Sequence, residues 1–239
     1  MTVLRESANS PHFNTDDVST IMPEPRIVSI QVGEPREFVR EDQPGKSWTS
    51  AIIKTQVNGP VLATPDGLPG DHQVDRVHHG GRDKAILAYA VQHYPHWKEQ
   101  FPSTEFTPGG FGENLTIENL NEELCCIGDV WTVGDCQLEV SQPRQPCWKL
   151  SKRWGLADLS RIVQQTGRTG WYLRVLQEGT LEPGMPLTLT SRPFPEMTVA
   201  WANNVMYARP SSPADVARLA SCPALSDAWR VTLRKRSSS

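Results

Sequence analysis

Apolar residues alternate with polar ones in Ile27-Val-Ser-Ile-Gln-Val32, which sets Val28, Ile30 and Val32 on one face of a strand. Comparable β-prone runs follow at 51–53, 85–89, 114–117, 130–133, 136–140, 171–175 and 187–189. Turn residues separate many of them, as in Pro65-Asp-Gly-Leu-Pro-Gly70, Pro108-Gly-Gly110 and Glu182-Pro-Gly184. Many short strands without a regular strand–helix alternation predict a mainly β protein, a closed or nearly closed β barrel rather than a doubly wound sheet. A few peripheral helices interrupt it. Tyr94, Trp97 and Phe101 fall at helical spacing, and Asp158 stands where it can cap a helix carrying Leu159, Ile162 and Val163 that Gly167 ends. After Arg192-Pro-Phe-Pro195 the periodicity turns helical over 198–208. Ser212-Pro213 then reads as an N-cap with proline at the first helical position, and Ser226 precedes a third helix with Trp229 and Leu233 one turn apart. Three short helices bury little alone, so they predict a small appendage packed on the barrel. The expected division is a flexible arm over 1–25, a barrel over 26–195 and a three-helix domain over 196–239.

Composition narrows the function classes. The chain has 239 residues, with Lys+Arg 24 against Asp+Glu 27 and a net charge of -3, which excludes a basic nucleic-acid coat and an acidic solvating tail. No apolar run approaches the ~20 residues of a membrane span. The N-terminal stretch is polar and aperiodic, and Glu6, Asp16, Asp17 and Glu24 fit poorly with an acid-poor organelle presequence. The five cysteines, Cys125, Cys126, Cys136, Cys147 and Cys222, are odd in number and contain no C-x-x-C. A disulfide framework or zinc ribbon is therefore not expected, and a reducing, cytoplasmic compartment is.

Candidate chemistry concentrates in Ser141-Gln-Pro-Arg-Gln-Pro-Cys-Trp-Lys149. Two prolines predict a rigid loop at a strand end, holding Cys147 beside Arg144 and Lys149. Cations so placed favour a thiolate, the form that attacks or ligates a metal; an inert cysteine in a turn is the plain alternative. A second cluster, Asp75-Arg-Val-His-His-Gly-Gly-Arg-Asp-Lys84, surrounds a Gly-Gly turn with donors of the kind an anionic cofactor needs. A charged surface turn would look the same. In Phe111-Gly-Glu-Asn-Leu-Thr116, Glu113 and Asn114 stand at the start of a strand, where an amide can read a heterocycle. Thr166-Gly-Arg-Thr-Gly-Trp171 leads into a strand carrying Arg174. No dinucleotide fingerprint, phosphate-binding P-loop or nucleophile elbow occurs. His93-x-x-His96 has a spacing possible for a metal but no third ligand nearby, so a surface helix is expected there.

Taken in order, Gly70-Asp71, His79-Gly-Gly-Arg-Asp-Lys-Ala85, Phe111-Gly-Glu-Asn-Leu115, Gly128-Asp129, Ser141-Gln-Pro-Arg-x-Pro-Cys147 and Thr166-Gly-x-x-Gly-Trp171 resemble the MOSC family, named for the C-terminal domain of molybdenum cofactor sulfurase. The resemblance spans roughly 26–192. It is nearest to the bacterial 6-N-hydroxylaminopurine resistance proteins, whose small α domain the three-helix tail matches. The resemblance implies a barrel with a pocket for the molybdenum cofactor and Cys147 as the ligand to the metal. It further implies His79, Asn114, Ser141, Arg144, Lys149 and Arg174 as pocket residues, with either His78 or His79 facing inward. The implied activity is reduction of N-hydroxylated bases, amidoximes or hydroxylamines to amines, with His79 or Glu113 delivering a proton. No flavin, nicotinamide or iron–sulfur motif is visible, so electrons are expected from a separate flavin or haem reductase. The alternative is a sulfur carrier holding a persulfide on Cys147.

Overall fold

The computed structural model describes residues 23–39, 45–74, 80–210 and 212–237. Residues 1–22 of the arm expected over 1–25, and both His78 and His79, lie outside the described residues. In chain order the elements are β1 (Arg26–Val32), β2 (Arg36–Val39), β3 (Ser47–Ser50), β4 (Thr55–Val57), β5 (Val61–Ala63), β6 (Ile86–Ala90), α1 (His93–Gln100), β7 (Leu115–Glu118), β8 (Val130–Val133) and β9 (Cys136–Pro143). They continue with α2 (Trp148–Trp154), α3 (Leu159–Thr166), β10 (Trp171–Gln177), β11 (Gly179–Leu181), β12 (Thr188–Ser191), α4 (Val199–Tyr207), α5 (Pro213–Ser221) and α6 (Asp227–Ser237).

Eight strands form one curled sheet in the order β12-β8-β9-β10-β6-β7-β1-β4. Every pairing in it is antiparallel except β6 with β7. The sheet curls until the segment leading into β12 meets β1. There Gly184 N–H donates to Ile27 O at 2.7 Å, Ile27 N–H to Met185 O at 3.0 Å and Leu187 N–H to Pro25 O at 2.8 Å. This makes a nearly closed barrel, as the alternation predicts, with backbone bonds tying the segment before β12 to the start of β1. Two small sheets, β2 with β3 and β5 with β11, lie outside it.

Burial explains the arrangement. Ile27, Ile30, Leu115, Ile117, Leu138, Val140, Trp171 and Leu173 fill the barrel, and the same continuous core takes in Val199, Leu219, Trp229 and Leu233 from the helical tail. The tail thus shares the barrel's core. Its caps are the expected ones: Ser212 Oγ accepts from Asp215 N–H at 3.2 Å and Ser226 Oγ from Trp229 N–H at 3.3 Å. A second core of Tyr89, Tyr94, Trp97, Phe111, Leu150, Leu159 and Val163 lies under α1, α2 and α3.

Three local expectations change. The strand expected at 51–53 is instead Ser47–Ser50, paired with β2, and the chain turns away after Ala51. Asp158 stands before α3, but its carboxylate bonds Arg161 and makes no cap hydrogen bond. The loop expected over 141–149 is shorter. β9 continues to Pro143, opposite Trp171, and α2 begins at Trp148 and ends at Gly155, whose φ of 66° is easy only for glycine.

Candidate functional site

A cleft opens beside the barrel where the segments after β3 and β9, residues 71–74 and the Arg82–Lys84 turn converge, with about 700 Å³ of space that is partly open to solvent. Cys147 lines it. Pro143 ends β9 and Pro146 precedes Cys147, so only four residues connect strand and helix. Cys147 is the residue before α2, its backbone extended at φ -106°, and its carbonyl is fixed by Leu150 N–H at 3.0 Å and Ser160 Oγ at 2.6 Å. Its thiol makes no cap bond and is half-buried. The other four cysteines are buried. Burial pushes the Cys126 and Cys136 thiols up to about 11 and raises those of Cys125 and Cys222 as well.

Arg144 supplies the main electrostatic feature. It is 5% exposed and lines the same cleft, with Nη2 donating to Phe111 O at 3.0 Å and Nη1 without a partner among the described residues. A buried guanidinium with an unused donor is costly unless something negative meets it. Lys149 lines the cleft with Nζ donating to Thr49 O at 3.1 Å, and Lys84 lines it from the Arg82–Lys84 turn. Lys54 and Asp71, both nearly buried, form an ion pair in the wall, and Asp71 Oδ1 also accepts Gly33 N–H at 2.7 Å. Of these residues the sequence reading had only Asp71, within Gly70-Asp71; Lys54 and Tyr172 were not singled out. The Tyr172 phenol is raised, chiefly by burial; the Arg144 charge pulls it down while Cys147 and Asp71 push it up.

Of the residues expected at the site, the cleft brings together Cys147, Arg144, Lys149 and Asn114. Asn114 serves the backbone: its Oδ1 accepts Leu87 N–H at 3.0 Å and its Nδ2 donates to Gln31 O at 3.2 Å, joining β6 to β1. Glu113 is not in the cleft wall. It is fully buried and accepts from Gly109 N–H at 2.7 Å, Phe111 N–H at 3.0 Å, Thr116 Oγ1 at 3.2 Å and the Tyr94 hydroxyl. Three of these donors meet Oε1 and one meets Oε2, so the carboxylate organises the loop before β7 from behind the cleft wall. Ser141 and Arg174 also lie behind the wall. Ser141 Oγ donates to Asp83 O, while Arg174 Nε donates to Asp83 Oδ1 at 2.6 Å and its Nη1 to Glu139. His93 Nε2 is 2.7 Å from Glu122 Oε2 in a separate polar groove that His96 also lines. Among the described residues no group of three or more His, Cys, Asp or Glu is arranged to hold a metal. No helix among them is long and apolar enough to cross a membrane.

Residues 75–188 match the family described as MOSC domain, and residues 197–238 match the YiiM-like, 3-alpha helix domain. The chain is 40% identical over 210 residues to the uncharacterized protein YflK of Bacillus subtilis, covering 88% of this chain and 93% of that one. It is 35% identical over 210 residues to a Gibberella moniliformis protein named Reductase, covering 86% of this chain but 37% of the longer fungal one. The crystal structure of YiiM from Geobacillus stearothermophilus superposes with a TM-score of 0.75 at 40% identity, over 89% of this chain and 99% of that one. The chain therefore belongs to the MOSC domain family, in the branch that joins this domain to a YiiM-like three-helix domain.

Proposed function

We propose that the protein is a reductase of N-hydroxylated compounds that works with a molybdenum cofactor bound in the cleft. The observation that carries this reading is the pairing of a half-buried thiol at Cys147 with a buried Arg144 whose Nη1 is unsatisfied. A soft sulfur suits a molybdenum centre, and an orphaned guanidinium with lysines beside it suits the phosphate of a pterin cofactor. The donor set fits the group on both counts. Cys147 would hold the metal, and Arg144 with Lys149 and Lys84 would hold the phosphate end.

When bound, the cofactor supplies the two electrons that cleave an N–O bond. The balance is R–NHOH plus two electrons and two protons giving R–NH2 and water. Arg144 and the lysines orient the bound groups and offset their charge. Tyr172, raised by burial, holds its phenolic proton at neutral pH on the cleft wall and is the described group placed to donate it to the leaving oxygen. Tyr172 takes that role in place of Glu113, whose carboxylate is fully buried outside the cleft lining and bonded to four donors of its own loop. His79 stays a second donor in this proposal. Electrons come from a separate flavin or haem protein. The fungal relative, in which this unit is 37% of a longer chain named Reductase, supports a redox role.

The test is metal and pterin analysis after expression in a host that makes the cofactor, followed by reduction of 6-hydroxylaminopurine with a chemical reductant. Wild type should carry molybdenum near one equivalent and form adenine; Cys147→Ser should lose at least 100-fold in activity. Metal-free protein carrying one labile extra sulfur on Cys147 would overturn the reading in favour of a sulfur carrier.

A further inference from the structure

Among the described residues four aromatic side chains belong to neither hydrophobic core: Tyr172 of the cleft wall, and Phe38, Trp48 and Trp148. The last three gather at one place. Phe38 and Trp48 are cross-strand partners in the β2–β3 hairpin, stacked at 4.2 Å with planes 14° apart, and Trp148 meets Trp48 edge-on at 5.2 Å. Trp148 is 48% exposed although it follows Cys147 directly. Its neighbours in sequence, Cys147 and Lys149, line the cleft, as do Ser50 and Ala51 at the end of β3. The aromatic group itself does not line the cleft but flanks it through these neighbours, with Trp148 one residue from Cys147.

Neither packing nor helix formation requires tryptophan there. α2 buries Leu150 and Ser151, not Trp148. Lys149 already ties the helix to the hairpin through its bond to Thr49 O. A large indole left half in water beside a polar cleft has an unused π face, and such faces take flat rings with little regard to the ring's own hydrogen-bonding pattern.

We infer that Trp148, backed by Trp48, is the stacking wall for a planar, π-rich substrate ring and so determines specificity between flat and non-aromatic N-hydroxyl compounds. The inference rests on the reductase reading above. Trp48 and Phe38 act as positioning residues, holding the indole upright by edge contact. The ring lies against the rim and its N–OH group reaches inward toward Cys147.

The experiment uses the full chain carrying its cofactor, with reduced methyl viologen as electron source, and compares 6-hydroxylaminopurine with N-methylhydroxylamine. Trp148→Leu keeps apolar bulk without a π face; Trp148→Phe keeps a smaller face. The Leu variant should lower kcat/KM for the purine about 10-fold relative to N-methylhydroxylamine, mainly through KM, and the Phe variant should recover most of it. Adenine binding, read by titration calorimetry, should weaken about 10-fold in the Leu variant. Equal losses for both substrates would make Trp148 a mere fastener of the hairpin and overturn the inference. Unchanged adenine affinity would overturn it too, as would a defect that appears only with a protein electron donor. If wild type reduces neither compound, the reductase reading fails, and the adenine titration still decides the stacking wall.

Discussion

Replacing Glu113 separates two roles that its position in the motif leaves open. Its Oε1 accepts Gly109 N–H, Thr116 Oγ1–H and the Tyr94 hydroxyl, and its Oε2 accepts Phe111 N–H. In Glu113→Gln the amide oxygen would keep the three-donor side, which forces the NH2 group against Phe111 N–H. One buried amide then loses its acceptor, and the remaining bonds lose the assistance of a charge. Together these cost about 2–4 kcal/mol. Arg153 adds to the loss. Its Nη1 donates to Ile52 O and Gly109 O, both at 2.6 Å, and burial pulls its guanidinium down while the Glu113 charge supports it. Phe111 also carries the carbonyl that receives Arg144, so the damage reaches the cleft through the loop. Urea unfolding followed by tryptophan fluorescence should show a clearly lower midpoint for Glu113→Gln, and Glu113→Ala should be worse by a further ~1–2 kcal/mol because all four donors are orphaned. A Glu113→Gln protein with the wild-type midpoint but no activity would refute this structural role and restore the acid–base one.

The remaining expectations concern thiols, the orphaned guanidinium and the ion pairs behind the cleft. Burial holds Cys126 and Cys136 near 11, so at pH 8 about one part in a thousand of each is thiolate, and iodoacetamide with peptide mass mapping should label Cys147 first. Because those folded thiols keep their protons above the ordinary value near 9, their contribution to stability is complete below pH 9 and is lost as pH rises toward 11; denaturation midpoints should fall over that window. Arg144→Met removes one bond to Phe111 O together with an unsatisfied Nη1, so stability should change by only about 1 kcal/mol while affinity for inorganic pyrophosphate, measured by calorimetry, falls about 10-fold. Arg174→Met leaves Asp83 and Glu139 without their cation and should lower Tm by about 5 °C, with faster amide exchange at the start of α6.

The barrel and the helical tail were legible because their signals are local. Alternation marks β10, a continuous apolar run marks β6, and Ser212, Pro213 and Ser226 announce helix starts that the cap bonds realise, whereas the face read for β1 fails at Val28, which a bulge leaves exposed. The β2–β3 hairpin was not legible, since Arg36-Glu-Phe-Val39 leaves no residue fully buried and so has no apolar face to read. Cys147 and Arg144 stood out because two prolines frame them. The tasks of Asn114, Ser141 and Arg174 were not legible, because their partners are Gln31 O, Asp83 O and the Asp83 carboxylate, 83, 58 and 91 residues away. No spacing rule encodes such pairs. Tyr172 had a usable signal: Trp171 and Leu173 are buried in the barrel, so alternation turns Tyr172 to the other face.

That other face connects residues behind the wall to the cleft. The Gly80-Gly81 turn has little stiffness of its own, with Gly81 at φ 90°. Asp83 is held from three directions: its carbonyl by Ser141 of β9, its Oδ1 by Arg174 of β10 at 2.6 Å, and its Oδ2 by the backbone N–H of Asp227, which opens α6, at 3.1 Å. Ser141 is drawn into the same junction twice, since its carbonyl accepts Ser226 N–H at 3.0 Å. The residue after Asp83 is Lys84, which lines the cleft. A cation that must meet an anion without reorganising needs a fixed backbone beneath it, and here the barrel and the three-helix domain provide that backbone jointly. In the proposed reading Ser141 and Arg174 thus act one residue removed from the ligand. The helical domain acts through them as part of the wall and not as a separate attachment.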